Sequence, residues 1–500
     1  MRVAVLGDIG QPVYHVGDEA MAHAAVEELR SRGIDDVLLF TRDVEDTHAR
    51  YSRVDAAPTL QFPWPPNDRR DYLRRIRAVL NGDDFELPPT DQVWEFVEAI
   101  KSCDALLIAG GGNMNSIYGW LLYERAAAIS IARALGKPVV LGGQTLGPAL
   151  HGDDRATATQ MLGEASLIGG REASTVQLAN DLDSSATVGE CLDDAAFFAT
   201  RASEKPAEEP EPAGELPQHY AAVTFAAPSG CVRNSTAYEN YVRSVATFLT
   251  HAEQITELPL VFLPHMSTPG ANDGDEATHR DIVTAMDGDQ KYLMPIQSAR
   301  RTAEITAQAA LVLTSRYHPV IFAMNGATPV VAVAVDSYSS TRLGGALAQW
   351  GLEDFVLPLP SLVDGTVEPA LQEVWVNRER ISAHCKAAKA QRRREFDGWW
   401  DQVVRALKGE TLSTSPLTEV AKWPAKEPWI DRAAAAASTF LPLSAEVEEL
   451  RVVREHLAGE LDLARRDAEN AKDELQGWFA SRSFRAVSAV ASLRSRVKGQ

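Results

Sequence analysis

Residues Leu311–Val335 read LVLTSRYHPVIFAMNGATPVVAVAV, and this stretch decides the fold. Its first apolar run predicts a strand, the middle part predicts a short apolar helix, and the run after Gly326 predicts a second strand. Arg316 and His318 fall in the turn after the first strand. Ligands of open α/β sheets collect at the carboxyl ends of strands, so a guanidinium and an imidazole there are candidate site residues.

The same alternation of short apolar strands and longer helices occupies two blocks of the chain, residues 1–201 and 218–410. Between them, residues 202–217 are rich in proline and glutamate and predict an acidic linker. The alternation predicts an α/β protein with two doubly wound, Rossmann-like domains that face a cleft. A cleft between two such domains is the expected ligand site.

The C-terminal part of the chain predicts three further segments. Residues 411–441 resemble a second linker, and residues 442–477 repeat apolar side chains at heptad positions, which predicts a short coiled coil and self-association. Residues 478–500 interleave apolar side chains with basic ones and predict a basic amphipathic tail on an anionic membrane surface; a solvated tail or an oligomer contact is the alternative. The heptad residues are Val447, Leu450, Leu457, Leu461, Ala464, Ala468, Ala471 and Leu475, and the apolar tail residues are Trp478, Phe479, Phe484, Val487, Val490 and Leu493.

Composition narrows the class of protein. The chain has 49 Lys and Arg against 69 Asp and Glu, a formal net charge of −20, so a nucleic-acid partner is not expected. The four cysteines show no CxxC spacing, which predicts neither a zinc site nor a disulfide framework. Because the chain shows no signal-peptide pattern and no apolar run of membrane-spanning length, we expect a cytoplasmic protein, with the tail at the inner face of the cell membrane.

Two turns of the first block are candidate binding loops. Gly111 and Gly112 follow the apolar run DALLIAG, where missing Cβ atoms allow close approach of a substrate or phosphate, and Asn113 adds a hydrogen-bonding side chain. Asp18 follows Gly17 at the start of the first long helix. A packing turn and a helix cap are the alternatives at these two places.

Several separated motifs, taken in chain order, resemble the polysaccharide pyruvyl transferase family. They are GDEA at 17–20, DALLIAGGGN at 104–113, GQTLGP at 143–148, REAST at 171–175, CLDDAAF at 191–197 and SRYHPVIFAMNGATPVVAV at 315–333. The resemblance covers about residues 1–405 and implies a GT-B-like arrangement of the two domains.

This resemblance implies transfer of a pyruvyl group from phosphoenolpyruvate to two hydroxyls of a sugar. The sugar would belong to a cell-surface or exopolysaccharide, or to its lipid-linked precursor. The reaction forms a cyclic ketal and releases phosphate. Phosphoenolpyruvate is the donor substrate, and no cofactor or metal is expected.

The resemblance also assigns roles to residues. Arg171 and Arg316 match the arginine positions of the family, and their planar guanidinium groups suit the phosphate and carboxylate of the donor. His318 matches the motif histidine and is predicted to protonate the enol carbon or to assist phosphate departure. Arg342 stands where many members carry a lysine, and Glu172 stands where they carry an aspartate after the first arginine.

The remaining candidates are substrate contacts. Arg342 is expected to contact phosphate, Asp18 to contact an acceptor hydroxyl, and His265 to line the cleft. Gly111, Gly112 and Asn113 are expected to line the donor or acceptor side. Glu172 is interpreted as a helix cap.

Two other functions remain open. A GT-B-type glycosyltransferase or a sugar-nucleotide epimerase would use the same cleft and the same phosphate-binding turns. A non-catalytic, membrane-associated scaffold would keep the fold and the coiled coil without the chemistry. Phosphate release from phosphoenolpyruvate that depends on Arg316 and His318 would distinguish pyruvyl transfer from both of these alternatives.

Overall fold

The computed structural model describes residues 1–83, 85–182, 185–199, 216–288, 290–426 and 428–497, the last of these with backbone alone at 482, 483 and 492–497. The predicted acidic linker, residues 202–217, lies outside the described residues except at its last two positions.

A largely buried parallel sheet forms the centre of the N-terminal domain. Its strands are ordered β4-β3-β1-β5-β7-β8-β9, with β6 paired to β7, and are short runs rich in Val, Leu, Ile and Ala, as expected when both faces of a sheet are covered. The strands of this part of the chain are β1 (Arg2–Leu6), β2 (Tyr14–His15), β3 (Asp36–Thr41), β4 (Asp55–Pro58), β5 (Ala105–Ile108), β6 (Gly111–Met114), β7 (Val139–Leu146), β8 (Leu167–Gly170) and β9 (Thr187–Glu190). The helices are α1 (Val16–Ser31), α2 (Val44–Arg50), α3 (Pro66–Leu80), α4 (Gln92–Lys101), α5 (Gly119–Ala134), α6 (Gly152–Gly163) and α7 (Ala173–Asp181).

The C-terminal domain repeats this design with a second parallel sheet, ordered β13-β11-β10-β14-β15-β16. Its strands are β10 (Ala221–Thr224), β11 (Leu260–Phe262), β12 (Met266–Ser267), β13 (Lys291–Leu293), β14 (Leu311–Thr314), β15 (Val330–Ala334) and β16 (Val356–Pro358). The helices are α8 (Thr236–Thr256), α9 (Gly274–Ala285), α10 (Ala299–Gln308), α11 (Tyr317–Gly326), α12 (Ser337–Ala348), α13 (Val367–Val376) and α14 (Arg378–Leu407). The strand, helix and strand predicted within Leu311–Val335 are confirmed as β14, α11 and β15.

The two domains are joined directly by backbone pairing. The short strand β2 of the N-terminal domain pairs antiparallel with β12 of the C-terminal domain. Next to it, the backbone N–H of Val16 donates to the carbonyl of His265 at 3.0 Å. On the other side of the interface, the side-chain amide of Gln349 donates to the carbonyl of Arg171 at 3.0 Å. The carboxyl edges of the two sheets therefore face each other across a closed interface.

The C-terminal segment corrects one prediction. Helix α15 runs from Trp429 to Ala480, so the predicted linker 411–441 is wrong for its residues 429–441. The run of alanines at 433–437 has the highest helix propensity, and Trp429 anchors the start by stacking on Phe355 with ring centroids 6.0 Å apart. Helix α16 (Arg482–Val497) follows.

The predicted coiled-coil segment, residues 442–477, lies wholly inside α15. Pairing with a second copy stays a prediction. Among the described residues, no helix combines the length and the apolar character needed to cross a membrane.

Candidate active site

The N-terminus of α11 meets the N-terminus of α1 where the two domains touch. Arg316 is the N-cap residue of α11, and His318 lies in its first turn. Gly17 and Asp18 lie in the first turn of α1. The His318 ring packs so closely on Gly17 that a Cβ at that position would overlap it. The predicted histidine therefore lies in the interface between the domains.

Arg171 directly follows β8 and is buried in the same interface, with only 1% of its side chain exposed. Its Nη1 donates to Asp193 Oδ2 at 2.5 Å, and its Nε donates to Thr145 Oγ1 at 2.8 Å. Its guanidinium carbon lies 4.4 Å above the Tyr317 ring of the other domain. Burial lowers the pKa of Arg171, but Tyr317 and Asp193 raise it by more than burial lowers it. The net shift is upward, and the guanidinium stays charged.

Two guanidinium groups from different domains converge at Gly112. The position that a Cβ on Gly112 would occupy lies 2.9 Å from Arg171 Nη2 and 3.4 Å from Arg342 Nη1. The Tyr338 hydroxyl donates to the Gly112 carbonyl, and the Arg342 guanidinium carbon lies 3.9 Å above the Tyr338 ring. Because this residue has no side chain, both cations reach one place, which suits a phosphate or carboxylate.

Arg316, the N-cap residue of α11, contributes a third guanidinium group. Its Nη2 donates to Asp275 Oδ1 at 2.6 Å, and Asp275 Oδ2 accepts the backbone N–H groups of His265 and Met266, both at 3.0 Å. Burial raises the pKa of Asp275, but Arg316 lowers it more, so the net shift is downward and the carboxylate stays ionised. Arg316 is thus oriented by a buried anion while 31% of its side chain remains exposed.

The imidazole of His318 is neutral in this environment. Burial lowers its pKa to about 4, with Arg171 also lowering it and Asp193 and Asp18 acting in the opposite direction. Its buried Nε2 has no hydrogen-bond partner among the residues that the structure describes. Such a nitrogen can accept a proton from a ligand or donate one after protonation.

Asp18 lies beside His318 and pairs with His15, whose Nδ1 is 3.3 Å from Asp18 Oδ2. Burial raises the pKa of Asp18, but the hydrogen bond from His15 lowers it, and the net shift is downward. An ionised carboxylate therefore stands next to the neutral imidazole, as expected for a residue that accepts a hydrogen bond from a sugar hydroxyl.

The other predicted residues contribute less directly. Gly111 and Asn113 belong to the strand β6 rather than to an open turn, because this segment pairs with β7. The Asn113 Oδ1 is buried without a hydrogen-bond partner within the described part of the chain. His265 is buried and stacks on Phe322 with ring centroids 5.9 Å apart, so the hydrogen bonds it makes here use its backbone.

Four residues of the site were not among the sequence candidates: Asp193, Asp275, Tyr338 and Tyr118. Burial raises the pKa of Tyr118, while Arg342 and Arg316 lower it, and its ring centroid lies 6.1 Å from that of Tyr338. A signal for Asp275 existed in the sequence. The four residues GDEA at 17–20 recur at 274–277, and in both copies they form the first turn of a helix.

Two facing domains, each with a doubly wound parallel sheet, define a GT-B-type fold. A model of the family described as polysaccharide pyruvyl transferase matches residues 15–337. The chain therefore belongs to the polysaccharide pyruvyl transferase family. The search of curated proteins finds no significant match.

Solved structures share the fold at low sequence identity. MnaA of S. aureus, solved with UDP, has a TM-score of 0.51 and 9% identity over 85% of this chain and 100% of its own. HepE of Anabaena, solved with UDP and glucose, has a TM-score of 0.50 and 12% identity over 82% of this chain and 100% of its own. Sucrose-phosphate synthase of Thermosynechococcus elongatus has a TM-score of 0.50 and 12% identity over 82% of this chain and 99% of its own. These similarities establish the GT-B-type fold.

Proposed function

We propose that this protein transfers the pyruvyl group of phosphoenolpyruvate to two hydroxyls of one sugar residue, forming a cyclic ketal and releasing phosphate. The observation that carries the proposal is the convergence of Arg171 and Arg342 at Gly112, with His318 in the same interface. Membership of the pyruvyl transferase family supports it. The donor bears a phosphate and a carboxylate on the same carbon, C2, and several cations from two domains suit that pair of anions.

In this proposal the donor lies between the two cationic sides of the site. Arg171 and Arg342 hold one anionic group at Gly112, and Arg316, oriented by Asp275, holds the other. Because Arg171 comes from one domain and Arg342 and Arg316 from the other, the donor is bound only when the interface is closed. Closure also excludes water, which would otherwise compete with the sugar hydroxyls.

The chemistry then requires two additions at C2 of the donor. The first hydroxyl adds to C2 while C3 takes up a proton and becomes a methyl group. The C2–O bond to phosphate breaks, and the second hydroxyl adds to the same carbon. Of the two hydroxyl protons, one ends on the methyl group and the other on the departing phosphate.

We propose that His318 acts first as a base. Because burial lowers its pKa to about 4, the unliganded imidazole holds no proton to deliver at neutral pH. It therefore takes the proton of the attacking hydroxyl and then delivers it to C3. The proton that His318 donates in its predicted role as an acid thus comes from the sugar hydroxyl. Asp18 holds the acceptor hydroxyl beside it. No cofactor or metal takes part in this proposal.

The direct test is incubation with phosphoenolpyruvate and a sugar acceptor, with detection of phosphate and of the ketal. Phosphate release that requires both the acceptor and His318 supports the proposal. Release of a nucleotide from a UDP-sugar would instead support a glycosyltransferase or epimerase. A protein that neither binds phosphoenolpyruvate nor gains thermal stability from it would be a scaffold, contrary to the proposal.

We propose that α15 pairs with a second copy of the chain through its heptad stripe. The helix contacts its own chain on another face, where Glu448 accepts a hydrogen bond from Ser337 Oγ at 2.8 Å. The stripe residues remain exposed, among them Leu450 and Leu461. A surface stripe of this kind is typical of a coiled coil.

Replacement of Leu450 and Leu461 by glutamate is expected to convert the dimer to a monomer, because four buried charges would oppose pairing. Sedimentation equilibrium measures the change. Val376→Glu, at an equally exposed apolar residue on α13, is the matched control and should leave the mass unchanged. A wild-type protein that sediments as a monomer at all concentrations would contradict the pairing.

We propose that the tail, residues 478–500, holds this cytoplasmic protein at the inner face of the cell membrane. Trp478, Phe479 and Phe484 form an aromatic cluster with ring centroids 4.4 to 5.3 Å apart. Trp478 and Phe479 are largely exposed. Aromatic side chains next to basic residues are typical of membrane-surface helices.

Deletion of residues 478–500 is expected to remove binding to anionic vesicles and to leave transfer to a water-soluble acceptor unchanged. Arg466 of α15 forms an ion pair with Asp68 of the N-terminal domain, which the deletion spares. Co-sedimentation with vesicles containing phosphatidylglycerol measures the binding, and phosphatidylcholine vesicles serve as the control. Unchanged sedimentation of the truncated chain would refute the membrane role.

A further inference from the structure

A row of four aromatic side chains leads from the anion site at Gly112 to the outer surface of the N-terminal domain. It consists of Tyr338, Tyr118, Trp120 and Trp64, with successive ring centroids 6.1, 5.9 and 4.5 Å apart. Tyr338 contacts Gly112 at the inner end. The row is therefore continuous with the proposed donor site.

Trp64, at the outer end, is presented to solvent in a fixed position. Its side chain is 57% exposed. It lies in the sequence FPWPP, where the flanking prolines restrict the backbone, and Arg69 Nη1 donates to the Trp64 carbonyl at 3.0 Å. A large aromatic side chain held rigidly in solvent adds little to the core and is typical of a binding surface.

The chemistry of the row fits a saccharide. A pyranose ring has a flat face of C–H groups, which stacks on an aromatic ring, and hydroxyls at its edge, which need polar partners. Tyr118 supplies both a ring and a hydroxyl, and its ring centroid lies 6.1 Å from that of Tyr338, which contacts Gly112. The inner end of the row can thus present a sugar edge to the reacting groups.

A cavity of about 290 Å³ lies near Trp64, because Arg69, which lines it, donates a hydrogen bond to the Trp64 carbonyl. The cavity lies between α3, the N-terminus of α6 and the helix α15. Its other lining residues include His151, Asp153, Val453 and His456, so the cavity offers both polar and apolar contacts. A ligand that follows the row therefore meets further side chains rather than open solvent.

Building on the proposed function, we infer that Tyr118, Trp120 and Trp64 form the acceptor subsites, which hold the reacting sugar and the sugars next to it in the chain. The terminal sugar lies at Tyr118 beside the donor. The following sugars stack on Trp120 and Trp64 and point toward the cavity under α15. A monosaccharide would occupy the innermost subsite alone and lose the outer contacts.

An immobilised glycan array with disaccharides and longer chains tests this inference without the reaction. The wild-type protein is expected to bind members of the array, and Trp64→Ala to bind them about tenfold more weakly because one stacking contact is lost. Trp64→Phe should recover much of the binding, since the ring is kept. Tyr292→Ala is the control and should bind as the wild type does, because Tyr292 is an exposed aromatic residue on β13, outside the row.

The failure of the inference and the failure of the proposed function are distinguishable. His318→Gln should keep glycan binding while losing phosphate release. If the wild-type protein binds glycans through Trp64 but never releases phosphate from phosphoenolpyruvate, the subsite assignment is supported and the proposed reaction is wrong. If no array glycan binds the wild type, or if Trp64→Ala and Trp120→Ala bind as it does, the subsites are overturned.

Discussion

Replacement of Arg171 by methionine is expected to reduce phosphate release about a thousandfold, because one preorganised cation at the reacting anions is lost. The same change is expected to lower the free energy of unfolding by about 3–5 kcal/mol, since it leaves the buried Asp193 carboxylate without its cation. Arg171 Nη1 lies 2.5 Å from Asp193 Oδ2, and both side chains are almost completely buried. Urea unfolding and a phosphate assay measure the two effects.

A second substitution separates the structural loss from the functional one. In Arg171→Met with Asp193→Asn the buried negative charge is gone, and the amide oxygen can still accept from the backbone N–H of Ala195, now 2.8 Å from Asp193 Oδ1. We expect most of the lost stability to return and the activity to stay low. Recovery of activity together with stability would show that Arg171 only holds the interface and does not bind the donor.

The fold was largely predictable because its strands and helices are local patterns. In Leu311–Val335 each apolar run is bounded by a turn, and the structure has β14, α11 and β15 in those places. The start of α15 was not predictable in the same way. Although the alanines at 433–437 favour a helix, its start directly follows Pro428, and Trp429 stabilises it by stacking on Phe355, a contact between distant parts of the chain.

The site was predictable where a residue follows a strand. Arg171 comes directly after β8, and Arg316 and His318 come after β14. The rule that ligands collect at the carboxyl ends of strands pointed to Arg316 and His318, whereas Arg171 was predicted from the family resemblance. Tyr338 could not be found in this way, because its role is a hydrogen bond to the carbonyl of Gly112, which is 226 residues earlier in the chain. Asp275, the partner of Arg316, could have been predicted from the sequence, since it belongs to the repeated GDEA segment.

The two GDEA segments also explain how the interface brings the acids to the site. The strands that precede them, β2 and β12, pair with each other across the interface. Each pairing strand leads toward a helix whose first turn carries the aspartate: Asp18 beside His318, and Asp275 bound to Arg316. The pair of strands β2 and β12 thus positions one carboxylate beside each of Arg316 and His318, the two residues predicted from Leu311–Val335.

Replacement of His318 by glutamine is expected to lower kcat by about a hundredfold to ten-thousandfold with little effect on folding, because a positioned acid and base is lost. Replacement of Gly17 by alanine tests the same residue from the opposite domain. A Cβ on Gly17 would overlap the His318 ring, so the ring must move or the interface must open. We expect Gly17→Ala to lower kcat to a similar extent and to destabilise the protein by about 1–3 kcal/mol through overpacking.

A double substitution shows whether this contact is the cause. In Gly17→Ala with His318→Ala, the new methyl group occupies space that the ring has left, so the free energy of unfolding should recover while the activity should not. Gly398→Ala, at a helical glycine with open space around its Cβ position, is the matched control and should leave activity unchanged. If Gly17→Ala retained full activity with His318 present, then the imidazole would not act from the closed interface, and the proposed catalytic arrangement would be wrong.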